Sequence, residues 1–316
     1  MLVAVLVVQV LVAVALIIFV IAGWPWVDRA PARQAAAAGV EARFLPAPGD
    51  SVPTPTADRF DSAYAFALLR RQVEVYGWRP AGSRALRRLA TDLRARLPRG
   101  RFEDLGRDHP GLRNVVGVIP GRRPAILVGA HYDVEARPRG FVGANDGAAG
   151  TAAVVTLARA LAADPVAGGR EVRFVLFDGE EEPAGSADPR SSGLRGSTAY
   201  ARRHARSVGQ MVLLDYVAGR GLRLPREGTS SPELWARVRA AAGRVGVAAS
   251  FPDATGAPLY DDHTPFLAAG VPAVDLIDWD YPWRDTLADD MSKVSPRSLD
   301  VAGEVVYELV DGLRRQ

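Results

Sequence analysis

The sequence predicts an α/β fold, a three-layer domain in which a central, mostly parallel mixed sheet is flanked by helices. Short β-rich runs follow one another between residues 113 and 278, and segments with apolar residues three or four positions apart separate most of them. Strands that alternate with helices typically form a parallel sheet with both faces covered. In addition, polar residues stand where the apolar runs stop, as expected at the functional edge of such a sheet.

The individual elements follow from these patterns. Five runs are predicted as strands, at residues 113–120, 125–134, 171–179, 210–219 and 271–278. Six segments are predicted as helices, at residues 60–77, 83–97, 147–163, 196–205, 231–243 and 295–315.

The composition excludes several functions. The chain of 316 residues has a net charge of +3, and nearly all its basic residues are arginines, with Lys293 the single lysine. No basic patch is interleaved with aromatic residues, so we expect no nucleic-acid partner. The absence of cysteine excludes disulfides, thiolate metal sites and a cysteine nucleophile. No Gly-x-Ser-x-Gly motif occurs, so a serine hydrolase would lack its nucleophile.

The N-terminal part of the chain is predicted to lie outside the domain. Residues 1–23 carry no charged side chain, and Trp24 and Trp26 follow, which is typical of a transmembrane helix with aromatic residues at the interface. A cleaved signal peptide is the alternative, but a basic start and a clear cleavage site are missing. We therefore predict a membrane anchor or signal segment over residues 1–24, a linker rich in Ala and Pro over 25–58, and the domain over 59–316.

Several predicted strands end in a histidine or a carboxylate. His131 and Asp133 end one strand, Asp215 ends another, and the run Asp-Gly-Glu-Glu-Glu over 178–182 follows a third. Like charges so close together resist ionising together unless a cation lies among them. Asp215 also needs a partner, because an unpaired buried charge is costly. The shared edge of the sheet is therefore predicted to hold a metal ion, with solvation of the acidic turn as the alternative.

Within the acidic turn and the glycine-rich segment, the residue types permit distinct roles. Adjacent glutamates point in different directions, so one can bind a metal while its neighbour acts as general base. Asp133 stands two residues from His131, where a carboxylate can fix the orientation of a metal-bound imidazole. Asp146, in Gly-Ala-Asn-Asp-Gly-Ala-Ala-Gly over 143–150, could cap a helix or bridge two metal ions, and both roles stay open.

The order of these motifs resembles peptidase family M28, which contains zinc aminopeptidases, and the related glutaminyl cyclases. The motifs are HYD, GANDGAAG, FDGEE, LLD, DDHTPFLAAGVP and DYPWRDTLADDMSKVS, and they extend from about residue 60 to the C-terminus. The resemblance implies a pair of Zn²⁺ ions on a central mixed sheet. It implies that His131 and Asp215 hold one ion and that Glu181 holds the other. Asp146 would bridge the two.

The resemblance also implies the remaining roles. Glu180 would be the general base, and Asp133 would orient His131. Asp262 and His263 are expected to contact the substrate, although a ligand role for His263 stays open.

One residue departs from the family pattern. The family closes its metal site with a histidine, and Asp285 occupies that place in Asp-Tyr-Pro-Trp-Arg-Asp-Thr over 280–286. Asp146, Glu181 and Asp285 would make an all-carboxylate site, which favours Mn²⁺ or Mg²⁺ more than an imidazole site does, although Zn²⁺ also accepts carboxylates. Single-zinc cyclases keep the ion at the site that corresponds to Asp146, Glu181 and Asp285. The replacement of the histidine by Asp285 therefore weakens the cyclase assignment more than the peptidase assignment.

The resemblance therefore implies a metal-dependent exopeptidase that hydrolyses N-terminal peptide bonds of peptide substrates. A glutaminyl cyclase-like aminoacyltransferase and a non-catalytic peptide-binding relative are the alternatives. Arg29 and Arg33 follow the apolar segment and by the positive-inside rule would keep the domain in the cytoplasm. The family instead implies the outer side, so we expect a single-pass anchor with an extracytoplasmic domain.

Overall fold

A single six-stranded sheet forms the centre of the domain. The computed structural model of the protein describes residues 52–186 and 192–316. The strands are β1 (Arg101–Asp104), β2 (Arg113–Ile119), β3 (Arg122–His131), β4 (Arg170–Phe177), β5 (Val208–Asp215) and β6 (Ala273–Ile277). Their order in the sheet is β1-β2-β4-β3-β5-β6.

The sheet is mixed and mostly parallel, which confirms the predicted architecture. β3 pairs in parallel with β4 and β5, and β5 pairs in parallel with β6. β1 and β2 form an antiparallel edge, because β1 pairs antiparallel with β2 and β2 pairs antiparallel with β4. The four parallel strands therefore end at the same edge of the sheet, and the chain leaves them beside one another.

Helices cover both faces of this sheet. They are α1 (Ser62–Arg71), α2 (Arg84–Arg96), α3 (Ala148–Ala163), α4 (Arg195–His204), α5 (Pro232–Arg244), α6 (Thr264–Ala268) and α7 (Pro296–Arg314). The larger core, on one face, contains buried residues of α1, α2, α3, α5 and α7. The smaller core, on the other face, joins Phe177 to Tyr200 of α4 and Phe266 of α6. Because apolar surfaces cover both sides of the sheet, the parallel strands β3 to β6 are mostly hydrophobic.

Serine residues define the starts of three helices. The side chains of Ser83, Ser231 and Ser295 accept backbone N–H groups in the first turns of α2, α5 and α7, which satisfies donors that a helix start leaves free. The helix predicted over residues 60–77 is divided into α1 and a π-helical turn, Gln72–Tyr76. The buried Gln72 amide donates to the Ala148 carbonyl, so this turn joins α1 to the start of α3.

The described chain begins inside the predicted linker. Val52 is buried in the larger core, and the Thr56 N–H donates to the Val245 carbonyl at 3.0 Å. Residues 52–58 therefore contact the domain. The predicted membrane segment at residues 1–24 lies outside the described residues. Among the helices described from residue 52 onward, none combines the length and the apolar character needed to cross a bilayer.

Candidate metal centre

A histidine and two aspartates meet where the parallel strands end. His131 is the last residue of β3 and Asp215 the last residue of β5, while Asp146 lies in the turn before α3. The His131 Nε2 atom is 3.2 Å from Asp146 Oδ1 and 3.3 Å from Asp215 Oδ1. One ligand atom from each residue lies within 4.8 Å of the other two, and all three residues are buried. We call these three residues the His131 group.

The turn that carries Asp146 is held by hydrogen bonds to a buried carboxylate and by a tightly packed glycine. The Asp289 carboxylate accepts the backbone N–H groups of Asn145 and Asp146 at 2.9 and 3.0 Å. Gly147, at φ +79°, precedes the helix, and a Cβ there would lie 2.5 Å from the Asp133 carbonyl oxygen. Because Gly147 is the capping residue of α3, the Asp146 carboxylate is not used as a helix cap and faces the His131 imidazole.

A buried arginine, Arg79, also binds the start of this turn. The Arg79 guanidinium donates to the carbonyl oxygens of Tyr132, Val142 and Gly143. Burial lowers its pKa to about 10, against the opposing effect of nearby carboxylates such as Asp146. Sequence analysis did not identify Arg79, because its function depends on contacts more than 50 residues away along the chain.

The two glutamates after β4 are placed by Asp133. The Asp133 carboxylate accepts the backbone N–H groups of Glu180 and Glu181 at 3.2 and 3.3 Å. Its Oδ1 atom is 3.8 Å from His131 Nδ1, which is longer than a hydrogen bond. Asp133 therefore orients the acidic turn directly, while its contact with the imidazole is electrostatic.

The site concentrates negative charge. Burial raises the pKa of Glu180 and of Glu181 well above the usual range, and neighbouring carboxylates add to the effect. Burial likewise raises the pKa of Asp215 to about 7, although His131 opposes the shift. Burial alone would lower the pKa of His131, but its interactions with the Asp133, Asp146 and Asp215 carboxylates raise it well above its usual value.

These residues suit a divalent cation. Along the two described stretches of the chain, no arginine or lysine forms a salt bridge with Asp133, Asp146, Glu180, Glu181 or Asp215. Imidazole nitrogen and carboxylate oxygen are ligands that Zn²⁺ accepts. His131, Glu180 and Glu181 form a second set of ligand atoms within 4.8 Å of one another, on the same imidazole. The residues present therefore fit a metal ion at the carboxyl ends of β3, β4 and β5.

Asp285 is separated from the His131 group by a tyrosine. The Tyr216 hydroxyl donates to Asp146 Oδ2 at 2.7 Å and is 3.2 Å from Asp285 Oδ1. Asp285 belongs to none of the groups of described residues whose ligand atoms lie within 4.8 Å of one another. Sequence analysis did not identify Tyr216, whose hydroxyl lies between the two carboxylates.

A pocket of about 280 Å³ opens over the centre. Asp146, Glu180, Glu181, Asp215 and Asp285 line its charged side. Its other walls are largely apolar or aromatic, formed by Tyr216, Pro258, Leu259, Tyr260, Ile277 and Trp279, together with Asp261. Such a cavity, with an apolar wall facing convergent polar groups, is typical of a small-molecule or peptide-end site.

The two residues expected to contact substrate lie behind this pocket. Asp262 and His263 are fully buried, and neither lines it, whereas the preceding Tyr260 and Asp261 do. His263 Nε2 is 3.2 Å from Glu227 Oε2. Asp261, His263 and Asp275 offer ligand atoms within 4.8 Å of one another and are called the His263 group.

Known proteins match this chain in sequence and in fold. The sequence profile of peptidase family M28 matches residues 114–310. Aminopeptidase YwaD of Bacillus subtilis (strain 168) is 27% identical over 218 residues, covering 63% of this chain and 44% of the relative. The chain thus spans less than half the length of that curated relative.

Solved structures are similar over nearly their whole length. A glutaminyl cyclase from an Acidobacteriales bacterium has 25% identity and a TM-score of 0.73, covering 86% of this chain and 99% of its own. Glutaminyl cyclase from Porphyromonas gingivalis has 27% identity and a TM-score of 0.70, covering 81% and 99%. A Zn-dependent exopeptidase from Parabacteroides distasonis shares the fold at 24% identity and a TM-score of 0.69, covering 82% and 99%.

Proposed function

The chain belongs to peptidase family M28, and from this membership we propose that it is a metal-dependent exopeptidase that removes N-terminal residues from peptides. The observation that carries the proposal is the His131 group, in which one imidazole nitrogen lies 3.2 and 3.3 Å from two buried carboxylates. A Zn²⁺ ion held there would polarise a carbonyl oxygen as a Lewis acid.

Glu180 is proposed as the general base. Its carboxylate lines the pocket beside Asp146 and Asp215, and Glu180 Oε2 is 3.8 Å from His131 Nδ1. The carboxylate would take a proton from the attacking water and later deliver it to the leaving amine. The backbone N–H of Glu180 donates to the Asp133 carboxylate. This hydrogen bond fixes the backbone of Glu180 relative to the His131 group.

The pocket fits the N-terminal residue of a peptide. Carboxylates on one side would attract a free α-ammonium group, and Leu259, Ile277 and Trp279 offer apolar surface to a side chain. No lysine or arginine is among the residues that line this pocket within the described chain. We therefore expect substrates with a free amino terminus and an apolar first residue.

The test is the release of free amino acids from unblocked peptides such as Leu-Gly-Gly by the full-length chain with Zn²⁺. Release from the unblocked peptide and none from its N-acetylated form would support the proposal. Hydrolysis of both forms at equal rates would contradict it, because the anionic side of the pocket would then have no role.

Glutaminyl cyclase-like activity is the second candidate, and the similarity to solved glutaminyl cyclases favours it. In that reaction Glu180 would move a proton between the α-amine and the side-chain amide of an N-terminal glutamine. Ammonia release from Gln-Gly-Gly, without free glutamine, would identify this activity. Anchoring by residues 1–24 and an extracytoplasmic location are part of the proposal in either case.

A further inference from the structure

Tyr216 directs its hydroxyl into the metal centre. It directly follows Asp215 at the end of β5, with a φ of +47° that non-glycine residues adopt only rarely. This backbone turn carries the ring back toward α3, where the hydroxyl donates to Asp146 Oδ2 at 2.7 Å. The same hydroxyl oxygen is 3.2 Å from Asp285 Oδ1.

The tyrosine is fixed in this position by packing and by its backbone. Its side chain is buried and forms a small apolar cluster with Ile277 and Tyr281, the two tyrosine rings having centroids 5.7 Å apart. The Tyr216 N–H donates to Asp215 Oδ1 at 2.9 Å. The hydroxyl is therefore placed by the same turn that places a residue of the His131 group.

Both carboxylate oxygens of Asp285 already have partners. Oδ1 faces the Tyr216 hydroxyl, and Oδ2 is 3.3 Å from Arg284 Nε. The Arg284 guanidinium lies 3.7 Å from the centroid of the Trp279 ring and donates to the Trp279 carbonyl oxygen. Asp285 thus belongs to a surface network with Arg284 and Trp279 at the rim of the pocket.

An ion shared by Asp146 and Asp285 would compete with this hydroxyl. Metal–oxygen distances to carboxylates are about 2.0 to 2.2 Å for Zn²⁺. The Tyr216 oxygen lies 2.7 and 3.2 Å from the same two carboxylate oxygens, so it takes the space between them. Asp146 Oδ1, the other oxygen of the same carboxylate, faces His131 Nε2 instead.

We propose that Tyr216 is a positioning residue that restricts this chain to one catalytic ion, at the His131 group, by holding Asp146 and Asp285 with its hydroxyl. This inference rests on the proposed function, since it concerns the same metal centre. It replaces the pair of ions expected from the sequence with one ion, and it removes Asp285 from the ligand set. Tyr216 acts on the ion through Asp146, because its donated hydrogen bond fixes the direction of that carboxylate.

The experiment counts ions in the full-length chain. Wild type and variants are incubated with excess Zn²⁺ and desalted, and bound zinc is measured by inductively coupled plasma mass spectrometry. The Kd is measured by competition with a chromophoric chelator. We expect one ion per wild-type chain, and one ion in Asp285→Asn with a Kd changed by less than about twofold, because Asp285 is not a ligand.

Tyr216→Phe keeps the buried ring and removes only the hydroxyl. We expect it to bind a second ion between Asp146 and Asp285, where the hydroxyl stood, and to bind the first ion with a Kd raised about tenfold, the usual effect of losing a hydrogen bond to a metal ligand. The matched control is Tyr307→Phe. The Tyr307 hydroxyl, in α7, donates to Asp164 at the C-terminal end of α3, the end of that helix opposite to Asp146. The Kd of this control should equal that of wild type.

Two ions per wild-type chain would overturn the proposal, as would a Tyr216→Phe chain that still binds only one ion. Wild-type chain without bound zinc would instead contradict the proposed function itself. The two failures are thus distinguished by one ion count.

Discussion

The His131 group and the His263 group are built from the same residue types, and their surroundings differ. Each joins one buried histidine to two aspartates with ligand atoms within 4.8 Å. In the His131 group, both aspartates line the pocket, and the adjoining Glu180 and Glu181 do so as well. In the His263 group, His263 and Asp275 are completely buried, and only Asp261 reaches the pocket wall.

The second difference is the partner of each imidazole. His263 has Glu227 beside it, with Nε2 and Oε2 3.2 Å apart, and Thr229 Oγ1 is 2.7 Å from the same nitrogen. Burial would raise the pKa of Glu227, but hydrogen bonds from His263 and from the Thr229 and Leu259 N–H groups lower it to about 2. The ionised Glu227 carboxylate is therefore stabilised by hydrogen-bond donors of the protein.

The two groups also differ in whether a cation can reach their carboxylates. The pKa values of Glu180 and Glu181 are strongly raised, and within residues 52–186 and 192–316 the one basic side chain beside their carboxylates is His131, so a cation at the pocket would stabilise their ionised forms. The Glu227 carboxylate already accepts hydrogen bonds from backbone N–H groups. Its contact with the His263 imidazole adds to the stability of the fold. The His131 group, whose aspartates line the pocket, is accordingly assigned to chemistry, and the His263 group, which is largely enclosed, to structure, although burial raises the pKa of Asp275 as well.

The largest effect is expected in His131→Ala. Removing the imidazole that both Asp146 and Asp215 face should abolish zinc binding and lower kcat/KM by at least about a thousandfold, since a metal supplies several kcal/mol of transition-state stabilisation. Metal content and peptide hydrolysis are the measurements. The matched control, His204→Ala, removes a partly exposed histidine paired with Glu103 and should keep the ion.

The next effect is in His263→Ala, which should change stability and leave the ion in place. Removing the imidazole leaves Glu227 and Asp275 buried without it, and loss of one member of a buried pair costs about 3 kcal/mol. Urea unfolding measures the free energy of unfolding, and zinc content is determined on the same sample. Loss of bound zinc without a loss of stability would reverse the assignment of the two groups.

A smaller effect is expected in Arg79→Met, which keeps most of the side-chain volume. Carbonyl oxygens of Tyr132, Val142 and Gly143 would lose their buried donor, which should lower the free energy of unfolding by about 2 kcal/mol. Zinc affinity should fall as well, because this turn leads to Asp146. Arg87→Met, at an exposed arginine that donates to the Gly82 carbonyl, is the control and should alter neither property.

Much of the fold was accessible from the sequence because local patterns specify it. The strands that end at His131 and Asp215 are apolar runs closed by polar residues, and the structure has both. The strand Arg101–Asp104 was missed because its four residues, Arg-Phe-Glu-Asp, are too few and too polar to show a periodic pattern. Its antiparallel pairing with β2 is a non-local contact, which no local pattern reports.

The site was accessible only in part for a similar reason. His131 and Asp215 end neighbouring parallel strands, so position along the chain was sufficient to place them together. The metal-bridging role of Asp146 was implied by the family resemblance. The position of the Tyr216 hydroxyl depends on one left-handed residue and on packing against Tyr281. Which residue of the turn 260–263 faces the pocket depends on its local conformation, and this conformation places Asp261 there and His263 in the interior.

Glu180→Gln tests the assignment of Glu180 as general base most directly, when zinc content and peptide hydrolysis are measured in the same preparation. The amide keeps the size of the side chain and cannot accept the proton, so bound zinc should stay at the wild-type level while kcat falls about a thousandfold. Glu182→Gln, at the exposed neighbour in the same turn, is the control and should retain activity within about twofold. A Glu180→Gln chain that binds zinc and hydrolyses peptides at the wild-type rate would contradict the general-base role of Glu180.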